Sequence, residues 1–223
     1  MGTLEIPILE TARLRLRSFG KGDVEDYAAM NADPEVLRYL AGAGAEPWDR
    51  GRSWRHLAFL LGHWQLGDAG MWAVEHRETG DFIGVVGFAA PEGWPGFELA
   101  WTLARRWWGH GYATEGARAA LAYAFTILEK ARVISLIHPE NRASIRVAER
   151  IGEKLQDHIH HLGRQMLCYG IDRKTFLTER VPAGVTASAP WRRWPRGKVF
   201  PPARGGRSRG RTAGGGRLRR CAR

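Results

Sequence analysis

The sequence predicts an α/β (or α+β) domain with a central mixed, mostly antiparallel sheet flanked by helices. Three observations lead to it. Met71 to His76 and Phe82 to Ala89 are apolar, strand-like runs around the turn Glu78-Thr79-Gly80-Asp81, which reads as a hairpin. Gly96 to Leu103 is a further strand, followed by glycines and an alanine-rich helix, after which strands and helices alternate. Beyond about Glu179 the composition turns to Gly, Arg, Pro, Ala and Ser, which buries too little apolar surface to offset its ordering entropy. One domain over residues 1–178 and a basic, disordered tail over 179–223 are therefore expected.

The elements follow in order. Arg13-Leu14-Arg15-Leu16-Arg17 alternates strictly and reads as a strand with one buried face. Asp23 is placed to cap a helix running to about Ala32, which Asp33-Pro34 breaks. A short helix covers Pro34 to Leu40, and a flexible loop covers Gly42 to Glu46. Trp54, Leu57, Ala58, Leu61 and Trp64 have helical spacing within Trp48 to Leu66. After the hairpin, Pro91 to Gly96 is a loop. The alanine-rich helix runs from about Ala113 to Glu129. Arg132 to His138 is a strand, and Asn141 to Ile151 is a helix ended near Gly152. Lys154 to His160 and Gln165 to Ile171 form a last strand pair.

Length and charge set bounds. The chain has 223 residues, 44% of them hydrophobic, enough for one domain with a real core. No apolar run approaches the ~20 residues of a membrane span, and residues 1–17 lack the continuous apolar region of a signal peptide. Neither of the two cysteines, Cys168 in a strand and Cys221 in the tail, is expected to form a structural disulfide. A reducing cytoplasm is the default. The net charge of +11 belongs to the tail: residues 181–223 hold twelve of the 34 Lys and Arg and no acid. The rest sets 22 basic residues against 23 acidic ones.

The chemistry concentrates in Trp107-Trp108-Gly109-His110-Gly111-Tyr112-Ala113-Thr114-Glu115. Glycines there allow a tight turn and close backbone approach to a ligand. The helix that follows offers unpaired N–H groups and the positive end of its dipole. A strand, a glycine turn and a helix start together suit a phosphate-bearing cofactor at residues 108–114.

Three blocks carry a family resemblance: Glu10 to Arg17 (ETARLRLR), Trp108 to Glu115 (WGHGYATE) and His138 to Gly152 (HPENRASIRVAERIG). In these the chain resembles the GNAT acetyltransferases, and within them the branch of ribosomal-protein N-terminal (alanine) acetyltransferases, over about residues 6–175. The resemblance implies that amides from Gly109 to Thr114, including His110, Gly111, Tyr112 and Ala113, bind the pyrophosphate of acetyl-CoA. Trp108 stands where the family motif has Gln or Arg. The resemblance also implies that the strand before the motif splays from its parallel neighbour. The pantetheine arm would lie in that gap against Trp101, Thr102 and Leu103, with Asn141 also touching it.

Glu98, in an apolar strand beside the expected thioester, is the candidate base that takes a proton from the amine; its alternative is a half-exposed strand-edge carboxylate. The resemblance implies an acid for the departing thiolate on this helix, often a Tyr further along it; residues 145–152 contain no Tyr, so Ser144, three residues after Asn141, is the candidate. Both Asn141 and Ser144 also suit a helix cap and first turn. The resemblance implies a backbone N–H near Leu103 as the oxyanion donor. The family usually has Gly-Phe after the last core helix; here it is Gly152-Glu153. His158, His160 and His161 have a spacing that invites a metal reading, but no Cys or acid completes a set.

The expected activity is N-acetyl transfer from acetyl-CoA to a primary amine, either a protein N-terminus or a small molecule, by direct transfer in a ternary complex. No metal and no membrane contact are expected, and the chain is read as a monomer or homodimer. Trp48, Trp54, Trp64, Trp72 and Trp94 are candidates for core or for an acceptor pocket. The tail suits weak RNA or ribosome contact, or is an unselected extension. A CoA-binding scaffold without catalysis, carrying that tail, is the alternative.

Overall fold

A computed structural model describes residues 5–40, 46–67 and 69–179. Its strands are β1 (Leu9–Glu10), β2 (Leu14–Arg17), β3 (Met71–His76), β4 (Phe82–Ala89), β5 (Glu98–Leu103), β6 (Arg132–Ile137), β7 (Lys154–His161) and β8 (Arg164–Asp172). Its helices are α1 (Asp23–Asn31), α2 (Pro34–Leu37), α3 (Arg50–Leu66), α4 (Tyr112–Thr126), α5 (Arg142–Ile151) and α6 (Arg173–Glu179).

The strands form one sheet in the order β1-β2-β3-β4-β5-β6-β8-β7. Every pairing is antiparallel except β5 with β6, which α4 connects. This is the expected mixed, mostly antiparallel sheet. Helices cover both faces because alternate strand residues point to opposite sides. Leu99 and Leu103 join Leu14, Leu16, Val86, Leu121 and Phe125 in a core under α4 and α5. Met71, Ala73, Phe82 and Val85 face the other way and pack with Tyr27, Met30, Leu57 and Leu60 of α1 and α3.

Several local expectations change. The N-cap of α1 is Gly22 and makes no side-chain bond. Asp23 instead accepts from the Gly20 N–H at 2.7 Å and from both terminal nitrogens of Arg17 at 2.8 Å, since that guanidinium gives a stronger, two-pronged partner than a helix amide. The true side-chain caps are Asp33, Asp49 and Asn141. Helix α4 starts one residue before the expected Ala113 and ends at Thr126. Helix α6 was not expected; Phe176 on it docks against Phe125 with ring centroids 5.1 Å apart. Trp64 and Trp72 are core residues, packed edge to face at 4.8 Å. Most of the loop before Trp48, residues 41–45, lies outside the described residues, as does residues 180–223 of the tail with Cys221, on which the disulfide expectation depends. Among the described residues no helix is long and apolar enough to cross a membrane.

Candidate functional site

Strands β5 and β6 share a single register pair, Glu98 with Ile134, sealed by the Ile134 N–H on the Phe97 carbonyl at 3.0 Å. Beyond it they part. On its other side β5 stays paired with β4 through Leu103, and the Ala104 N–H reaches the Ile83 carbonyl at 2.9 Å. That phase commits the backbone groups of Ala100 and Thr102 to β4 and turns those of Leu99, Trp101 and Leu103 towards β6. The Leu103 carbonyl accepts from the Trp108 indole at 2.8 Å. Trp101 and the Leu103 N–H therefore face an open gap, whereas Thr102 borders it by its side chain alone.

The gap belongs to a cleft of about 580 Å³. Its walls include Glu98 to Leu103, Trp108, Gly109, Gly111 to Thr114, Ser135 to His138, Asn141 and Ser144. Of the cofactor and catalytic candidates read from the sequence, His110 alone is not on the wall. Its Nδ1 lies 2.8 Å from the Trp108 carbonyl and its ring stacks on Tyr112.

At the cleft's glycine end, Gly111 is the N-cap of α4 in the left-handed region (φ 82°), with no side-chain cap. The first-turn amides have no intrahelical acceptor and open on the cleft. Glu115 anchors this turn: it accepts from the Thr11 hydroxyl at 2.7 Å, the Arg13 N–H at 2.9 Å and the Arg13 guanidinium at 2.7 Å. Burial pushes its carboxyl up, but these partners together hold it below its ordinary value.

Asn141 caps α5 by accepting from the Ser144 N–H at 3.1 Å. The Ser144 hydroxyl accepts from the Trp101 indole at 3.3 Å, which places it beside β5 on the helix side of the gap. Arg142, Arg146 and Arg150 also border the cleft from α5. Their spacing of four puts them on one helical stripe, a phosphate-suited signal the sequence reading passed over.

Glu98 points to the opposite face. It is 8% exposed, accepting from the Trp94 indole on Oε2 and from the Leu136 N–H on Oε1 at 3.4 Å. Burial pushes its carboxyl up to about 7, against the pull of these two donors. Trp94 in turn meets His161 edge to face at 4.4 Å. Nearby, Arg164 holds the Tyr39 and Leu40 carbonyls at 3.2 and 2.9 Å. His158 and His160 are exposed on β7, and no cluster among the described residues could hold a metal ion.

The family model for the acetyltransferase (GNAT) domain matches residues 13–154. The chain belongs to the GNAT acetyltransferases. The Bacillus subtilis (strain 168) protein YkkB is 33% identical over 176 residues, 75% of this chain and 96% of YkkB. The solved acetyltransferase from Agrobacterium tumefaciens str. C58 is 33% identical, with a TM-score of 0.67 over 75% of this chain and 95% of its own. Spermidine N-acetyltransferase from Vibrio cholerae, solved with CoA and spermine, is 20% identical with a TM-score of 0.59, over 75% and 99% of the two chains; that likeness is one of fold. This GNAT protein is an acyltransferase of the N-acetyltransferase type, with acetyl-CoA as co-substrate.

Proposed function

We propose that this GNAT enzyme passes acetyl directly to a primary amine, on a protein N-terminus or a small molecule, that reaches the sheet beside Glu98. The observation that carries this reading is the buried Glu98 at the vertex of the β5–β6 gap, with its carboxyl raised to about 7. A carboxylate tuned to that range is ionised often enough to accept a proton and basic enough to take one from the acceptor's ammonium, freeing the neutral amine that attacks the thioester carbonyl. Acetyl-CoA supplies an activated acetyl group. The amides of Gly109 to Thr114 suit its pyrophosphate, the stripe of Arg142, Arg146 and Arg150 its outer phosphate, and Trp101, Leu103 and Asn141 its pantetheine arm. Ser144 Oγ, already accepting from Trp101, keeps its proton for a hydrogen bond to the leaving thiolate. The Leu103 N–H faces the gap and suits the thioester oxygen. We assign this work to residues 1–178.

The test is release of CoA from acetyl-CoA over a panel of polyamines and short peptides with free N-termini. Turnover with at least one class is expected. Glu98→Gln should lower kcat by about 10²-fold or more, and Ser144→Ala by about tenfold. Deleting residues 181–223 should leave turnover intact. Unchanged rates in Glu98→Gln would remove Glu98 from the mechanism.

A further inference from the structure

The vertex of the gap holds a second buried carboxyl. Past the Glu98–Ile134 pair, a regular parallel ladder would send the Leu136 N–H to the Leu99 carbonyl. Here both groups are met by side chains instead. The Leu136 N–H goes to Glu98, and the Leu99 carbonyl accepts from Ser135 Oγ at 2.8 Å. Behind Ser135, on the helix side, lies Glu153, the residue that stands where the family usually has Phe. It is 2% exposed, and its own N–H is spent on the Ala148 carbonyl of α5. Glu153 Oε1 lies 3.1 Å from Ser135 Oγ, while Oε2 is buried with no hydrogen-bond partner.

The single proton of Ser135 lies between two acceptors. A serine hydroxyl has one proton. With that proton on the shorter contact, to Leu99, the longer contact takes its proton from Glu153. On that assignment Glu153 is a neutral carboxylic acid donating to Ser135 Oγ. Ionised, it would leave a bare anionic oxygen in an apolar interior and draw the serine proton away from Leu99.

We propose that Glu153 is a positioning residue for acetyl transfer: its neutral carboxyl locks Ser135 onto the Leu99 carbonyl and so holds the mouth of the gap open to the pantetheine arm. This rests on reading the gap as the seat of that arm. Burial pushes the Glu153 carboxyl up to about 8, and the charge of Glu98 across the sheet adds to the rise; a Ser135 proton turned onto the carboxylate would pull it back down. The other ionisable groups nearby do not oppose it. Glu149 of α5 and Lys154 of β7 are exposed, and burial raises the Tyr169 phenol of β8.

The experiment is a carboxyl ¹³C titration of the full chain labelled at Glu, assigned with Glu98→Gln and Glu153→Gln, beside calorimetry with CoA at pH 7 and pH 9. Glu153 should be protonated at pH 7, and its midpoint should fall in Glu98→Gln, where the opposing charge is gone. From pH 7 to pH 9 the wild type should lose about three- to tenfold more CoA affinity than Glu153→Gln, whose amide donates to Ser135 at every pH. Ser135→Ala should bind weakly at both. A Glu153 already ionised at pH 6 overturns the proton assignment. Equal pH dependence in wild type and Glu153→Gln overturns the positioning role. A wild type that binds no CoA at either pH overturns the seat itself, and the positioning role with it, a failure the carboxyl titration tells apart from a wrong protonation state.

Discussion

Replacing Glu98 by Gln should move activity and stability in opposite directions. The native carboxyl sits at about 7 against an ordinary 4.5. Between those values the folded chain keeps a proton that the unfolded chain has released. Stability contributed by the protonated group is therefore complete below about 4.5, falls as pH rises, and is gone above about 7. A shift of that size corresponds to about 3 kcal/mol at 1.36 kcal/mol per unit. Gln carries no charge to desolvate, but its one carbonyl oxygen cannot serve both the Trp94 indole and the Leu136 N–H, a loss of about 1 kcal/mol. Urea unfolding at pH 5 and pH 9 reads the difference. The wild type should lose about 3 kcal/mol more than Glu98→Gln across that range, leaving the variant the more stable protein at pH 9. In the same window wild-type kcat/KM should fall about tenfold per pH unit below 7 while the variant stays uniformly slow. Parallel stability curves for the two proteins would refute the claim that Glu98 is a desolvated carboxylate.

Three further outcomes follow from the geometry. Gly111→Ala forces a Cβ into the left-handed region and should cost about 1–2 kcal/mol in thermal unfolding, while Gly111→Glu should abolish CoA binding in calorimetry by adding charge at the phosphate turn. Arg150→Ala should weaken CoA about threefold to tenfold and reduce the salt dependence of its affinity, with little change in melting temperature. Glu115→Ala removes the ties to Thr11 and Arg13 and should cost about 2 kcal/mol at neutral pH. Because that carboxyl is held below its ordinary value, the difference from wild type should shrink as pH falls through the lowered value.

Patterns local in sequence were legible in advance. Alternation at Arg13 to Arg17, the hairpin over residues 71–89 and the long helices each follow from a few neighbouring residues, and the structure has them. The glycine turn was legible because Gly111 leaves a helix start uncapped. Glu98 stood out as a lone acid in an apolar strand. What could not be read depends on partners far away in the chain. Nothing in Trp101 or Leu103 distinguishes a strand that parts from its neighbour from one that stays paired. The Trp94 indole on Glu98 depends on the path of the intervening loop. Glu153 was visible as a departure from the family pattern, but its meaning needs Ser135, eighteen residues earlier, on β6. Asp23 misled because an N-terminal acid has two suitors, and the nearby Arg17 prevailed over the helix amides.

The lone Glu98–Ile134 rung also divides the sheet mechanically. Strands β1 to β5 form one leaf and β6 to β8 another, each internally laced by antiparallel ladders but joined in backbone pairing at a spine one residue pair deep, with the Glu98 and Ser135 side-chain bonds beside it. Such leaves are natural units of separate opening, so amide exchange in the three-stranded leaf should be able to outpace exchange in the other. A ligand whose amides lie along the open margins would act as a splint across the spine. Its binding would then appear as slowed exchange throughout the smaller leaf, well beyond the atoms it touches.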